Sequence, residues 1–151
     1  MKGRRMNERG FTLVELLVVM IILAVLAAVI VPRVVNRAEQ SRRAKAIADI
    51  ANLETALKLY AADNGAPPTT EQGLAALRRE PTTPPLARNW NGPYLDKPLG
   101  LDPWGNEYVY ICPGEFNTDS FDLYSMGADG QEGGEGKDED VTNWDVEAAE
   151  E

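Results

Sequence analysis

Apolar residues are distributed along this chain in three ways, and each predicts a different element. From Phe11 to Val31 they form a run of 21 residues interrupted only by Thr12 and Glu15. A helix rises about 1.5 Å per residue, so the run would extend for about 30 Å, the hydrocarbon thickness of a bilayer. Further on, Ala46, Ile50, Leu53, Leu57 and Tyr60 recur at helical spacing, with Asp49, Asn52, Glu54 and Lys58 mostly on other faces. That stripe predicts an amphipathic helix laid against a globular core. The third pattern is short: Tyr108–Cys112 and Phe121–Ser125, with Pro113-Gly114 between them, read as two antiparallel strands joined by a turn.

Turn and cap residues set the boundaries. One helix is expected from about Phe11 to Asp63, its first half apolar all round and its second half amphipathic. Pro32 falls just past the apolar run, where its missing N–H predicts a kink or a local opening. Asn64-Gly65 supplies a left-handed stop, followed by Pro67-Pro68. Thr69 and Thr70, ahead of Glu71-Gln72-Gly73-Leu74, suggest a cap for a short helix running to about Arg78. A proline-rich connector from Pro81 to Pro98 follows, with Trp90 and Tyr94 as the side chains that pin it to the core. Asp102-Pro103-Trp104-Gly105 has the residues of a type I turn. Cys112 reads as a small strand residue.

Charge adds an asymmetry. The net charge is −9, yet residues 1–45 hold nine Lys/Arg against three Glu, while residues 115–151 hold thirteen acids and only Lys137. An end so acidic repels phosphates and excludes a nucleic-acid surface there. A single cysteine forbids an intramolecular disulfide and a Cys-rich zinc site, and the absence of histidine removes the commonest general base. The composition therefore points away from an enzyme. Basic residues flank the apolar run on both sides, so the positive-inside rule does not orient it.

Glu15 is the exception inside the apolar run. An acid at the centre of a membrane helix costs about 2.5–3.5 kcal/mol and marks a functional partner. Cleavage after Gly10 would give Phe11 an α-ammonium four residues from Glu15, on the same helix face. The same pair could also form between neighbouring chains in a bundle, and Phe11 of the neighbour is the expected partner. A conventional signal peptide fits poorly, because no Ala-x-Ala closes the run.

The stretch Gly10-Phe11-Thr12-Leu13-Val14-Glu15, after a short basic leader that starts at Met1 or Met6, resembles the processing signal of the type IV pilin-like superfamily. Three further pieces are similar to the major pseudopilins of bacterial type II secretion. They are Tyr60…Asp63-Asn64-Gly65…Pro68-Thr69-Thr70-Glu71-Gln72-Gly73-Leu74, then Asp102-Pro103-Trp104-Gly105-Asn106, then Ser125-x-Gly127-x-Asp129-Gly130…Asn143-Trp144. Together they carry the likeness from Gly10 to Asp145. Type IV pilins usually close their C-terminal region with a disulfide, which one cysteine cannot do; this favours the secretion reading, with a type IV pilin or a minor pseudopilin subunit as the alternative.

The resemblance implies an α+β pilin-like fold, in which a long N-terminal helix packs on a small antiparallel sheet with a C-terminal calcium loop. It implies a leader over 1–10, a single-pass transmembrane half-helix over 11–32 in the inner membrane, and a periplasmic domain over 33–151. A prepilin peptidase would cut between Gly10 and Phe11 and methylate Phe11, and Glu15 would serve assembly. The subunit would polymerise into a helical fibre with minor pseudopilins and an inner-membrane assembly platform as partners, driving protein secretion.

The stretch from Gly127 to Val141 is rich in glycine and acids. Its spacing is not that of an EF-hand, and a solvated acidic loop is the simplest reading. The resemblance implies Ca²⁺ here, with Asp129, Asp138 and Asp140 as side-chain ligands and backbone carbonyls completing the shell. Trp144 is placed to pack as an anchor beside the loop.

Overall fold

The computed structural model describes residues 11–144, the side chains of residues 28–36 excepted; the expected leader and Gly10 lie outside the described residues. The chain divides into two compact units, residues 1–38 and 39–151. Helix α1 (Leu13–Asn64) runs through both. It continues through Pro32 instead of opening there, since a proline removes one hydrogen bond and a long helix retains the bonds on either side.

In the first unit every described residue from Phe11 to Ala27 is exposed, on all faces of the helix. Phe11 is 80% exposed, and even the least exposed large apolar residue of this stretch, Val18, is 47% exposed. Among the described residues no helix is long and apolar enough to cross a membrane. The last part of the apolar run, residues 28–31, belongs to the segment whose side chains are not described.

The second unit is built on the predicted stripe. Ala46, Ile50, Leu53, Leu57 and Tyr60 are all buried, and Ala56 joins them. They pack against Ala76 and Leu77 from a 3₁₀ turn (Leu74–Leu77) and against Tyr108, Tyr110, Phe121, Leu123 and Val141. The helix ends where expected: Gly65, with φ of +88°, lets its N–H turn back to the carbonyl of Ala61 at 2.7 Å.

Among the described residues the sheet has three antiparallel strands in the order β1 (Val109–Ile111), β2 (Asp122–Ser125), β3 (Val141–Thr142). Val109 faces Tyr124 and Ile111 faces Asp122; Tyr124 and Ser125 pair on their other side with Thr142 and Val141. Both expected strands are shorter than the sequence suggested, for identifiable reasons. Cys112 leaves the ladder because its N–H donates to the Thr70 hydroxyl and its carbonyl accepts from it. Phe121 has its carbonyl occupied by the side-chain amides of Asn117 and Asn143. β3 was not foreseen.

Two buried carboxylates hold the loops. Asp122 accepts the backbone N–H groups of Glu115, Phe116 and Asn117 and so shapes the connection between β1 and β2. Asp102 accepts from Trp104, Gly105 and Asn106 through one oxygen and from the Ser125 hydroxyl through the other. The proline-rich connector is pinned as expected. Trp90 donates to the Ala76 carbonyl at 3.0 Å, and the Tyr94 hydroxyl donates to Asp63 at 2.8 Å.

Candidate functional site

The start of α1 is a reciprocal cap. The Glu15 carboxylate accepts both the backbone N–H and the hydroxyl of Thr12, each at 2.9 Å, and the Thr12 hydroxyl accepts the Glu15 N–H at 3.2 Å. This is the Thr-x-x-Glu capping box, which satisfies helix donors that would otherwise be orphaned. Thr12 was passed over in the sequence as a mere interruption of the apolar run, although its spacing to Glu15 was the available signal. Helical geometry therefore begins two residues after Phe11, and both polar side chains of the apolar run sit together at its mouth.

The acidic loop lies at the other end of the chain. Asp129 accepts from the Gln131 N–H, and Asp140 Oδ2 from the Gly133 N–H, while Asp138 is paired with Lys137 at 2.7 Å. Asp140 Oδ1 is buried without a hydrogen-bond partner. Burial pushes the Asp140 carboxyl above the usual carboxylate range against the pull of the Gly133 N–H, and the charges of Asp129, Glu132 and Glu139 push it further. Among the described residues no three acid side chains are gathered closely enough to hold a metal as they stand.

The loop is fastened to the rest of the unit at three points. Arg43 of α1 reaches across to Glu139, pairing with its carboxylate at 3.2 Å and donating to its carbonyl. Tyr124 of β2 donates to Glu132 at 3.0 Å; burial, then that acid, pushes its hydroxyl up to about 12. Asn106 donates to the Gly127 carbonyl at 2.9 Å. Beside the loop Trp144 stacks on Phe116, with ring centroids 4.3 Å apart, and meets Tyr124 edge-on. The Asp102 turn belongs to the same support, since it aims Trp104 at Glu39 of α1, whose carboxylate accepts the indole N–H at 2.6 Å.

A long helix opened by a capped acid, with its amphipathic half packed on a small antiparallel sheet, defines a pilin-class subunit. The prokaryotic N-terminal methylation motif matches residues 5–31, and type II secretion system protein G matches residues 33–144. The chain belongs to the type II secretion system protein G family. It is 48% identical to the type II secretion system core protein G of Pseudomonas aeruginosa over 142 residues, covering 94% of this chain and 99% of that protein. The core protein G of Vibrio cholerae is 46% identical over 141 residues, covering 93% and 94%. The crystal structure of the major pseudopilin from the type 2 secretion system of enterohaemorrhagic Escherichia coli superposes with a TM-score of 0.61 at 38% identity, covering 71% of this chain and 90% of that one.

Proposed function

We propose that this chain is the major pseudopilin of a type II secretion system: a structural subunit, cut after Gly10, methylated at Phe11 and polymerised into the pseudopilus. The observation that carries the reading is the helix whose described residues from Phe11 to Ala27 are apolar and exposed on every face, apart from Thr12 and Glu15 at its start. Monomeric soluble proteins rarely expose contiguous apolar patches of that extent, so the helix needs a partner environment. Two environments succeed each other. Before assembly residues 11–32 lie in the inner membrane, with the leader cytoplasmic and residues 33–151 periplasmic. After assembly the same helix packs among its copies in the fibre core, through a contact that repeats without closing.

Glu15 makes the exchange specific. Among the described residues its charge is met by the Thr12 donors. Cleavage creates the Phe11 amine, and in the fibre Glu15 meets the amine of the neighbouring subunit. Breaking one half of a buried ion pair costs about 3–5 kcal/mol, a hundredfold or more in association. Glu15→Gln, which keeps the cap acceptor but not the charge, is expected to be processed yet to yield about a hundredfold less sheared fibre in a host that overproduces it with the secretion machinery. Undiminished fibre yield would contradict the reading. Minor pseudopilins and the inner-membrane platform are the partners for initiation and growth.

Calcium belongs to the same proposal. The donors of the acidic loop are hard oxygens, and the buried, unpartnered oxygen of Asp140 among like charges is the environment that a dication relieves. Asp129 and Asp140 would contribute carboxylates, and Asp138 would join them on exchanging Lys137 for the cation. The bound ion supplies charge neutralisation and fastens the loop to β3.

A further inference from the structure

A groove of about 350 Å³ runs between the 3₁₀ turn and the connector, lined by Leu74, Ala75, Arg78, Arg79, Pro98 and Leu99. Its lining combines aliphatic side chains with two guanidinium groups. Arg78 Nε is buried and has no hydrogen-bond partner. Among the described residues neither Arg78 nor Arg79 belongs to an ion pair. A buried donor left unmade is costly, and a guanidinium fork is satisfied best by a carboxylate. The groove is thus built for a segment that alternates acids with small apolar side chains.

We infer that this groove receives residues 145–151 of a second copy of the chain. Those residues read Asp145-Val146-Glu147-Ala148-Ala149-Glu150-Glu151, four acids with one valine and two alanines among them. Three other acids of the C-terminal region are engaged at home: Glu132 by Tyr124, Asp138 by Lys137 and Glu139 by Arg43. Reach does not separate a neighbour from the same chain, since seven extended residues span about 23 Å and two strand spacings about 10 Å. Packing in the proposed fibre is what brings a neighbour's groove within range. The chain leaves the sheet at its β3 edge, where Trp144 packs on Phe116 and Tyr124. The groove flanks the opposite edge: Leu74, Ala75 and Leu99 also line the cavity against Tyr110 of β1 and Tyr108 just before it. Donor and acceptor on opposite edges make a head-to-tail contact, which propagates instead of closing.

The inference rests on the fibre-subunit reading, and the experiment separates the two. In a Cys112→Ser background, differently tagged copies carrying Leu99→Cys or Ala148→Cys are produced together, and their sheared fibres are oxidised. A disulfide joining the two tags is the expected result, because it requires the Cα atoms to lie within about 7 Å. In parallel, the pair Arg78→Glu and Arg79→Glu, and separately the pair Glu150→Arg and Glu151→Arg, should each lower fibre yield at least about tenfold through like-charge contact, and their combination should restore it. Fibres without the cross-link overturn the docking, as does a bond that forms only within a chain carrying both cysteines. Full yield from both charge reversals overturns it too, whereas a parent chain that makes no fibre overturns the subunit reading itself.

Discussion

Replacing Asp102 by alanine is expected to destabilise the globular unit by about 3–5 kcal/mol. Asp102 is 5% exposed, and its carboxylate accepts three backbone N–H groups through one oxygen and the Ser125 hydroxyl through the other. Each hydrogen bond to a charged group contributes about 1.5–3 kcal/mol, and the figure is discounted because the N–H of exposed Gly105 can recover water. Alanine would orphan the remaining donors, loosen the turn and release Trp104 from Glu39. At about 4 °C or more per kcal/mol, the melting temperature of the domain should fall by roughly 15 °C. Asp102→Asn keeps an acceptor and should lose less. A melting temperature within a few degrees of the parent would show that the turn holds without its carboxylate.

The second large effect is that of calcium. A ligand present at a hundred times its Kd stabilises the folded state by about 2.7 kcal/mol, and an extracellular-type site has a Kd of about 10⁻⁴–10⁻³ M. Chelation should therefore lower the melting temperature by roughly 10 °C. Asp140→Ala should abolish the difference between calcium and chelator, as should Asp129→Ala, while Asp119→Ala, an exposed residue outside the loop, should leave it intact. Identical melting of the parent chain in calcium and in chelator would remove the metal from the account.

What the sequence disclosed followed periodicity and local chemistry. The stripe from Ala46 to Tyr60 was legible because a helix face repeats every three to four residues whatever covers it, and every member is buried. The Asn64-Gly65 stop and the Asp102 turn were legible because their residue types serve the local backbone. β3 escaped because two residues carry no period, and Val141-Thr142 becomes a strand only when β2 is beside it. The strands end early because the side chains of Thr70 and Asn143, distant in sequence, and of Asn117, four residues away, take the backbone groups that would have extended the ladder.

The sites divide along the same line. Glu15 stood out because an acid in an apolar run is expensive, whereas Thr12 did not, though the two form one cap. The acids of the loop were visible as composition. That Asp140 is the one with a buried, unpartnered oxygen depends on how the loop folds back on itself between Gly133 and Asp140. The Trp104–Glu39 and Arg43–Glu139 links span 65 and 96 residues, and no local pattern announces either.

The central claim is that this chain becomes a fibre subunit only when the bond between Gly10 and Phe11 is cut. The direct measurement is the N-terminal sequence and intact mass of the protein extracted from membranes of cells that contain the peptidase. The account predicts a chain that begins at Phe11 and carries one methyl group on its amine. A chain that retains its leader in those cells, or that starts at any other residue, would contradict it.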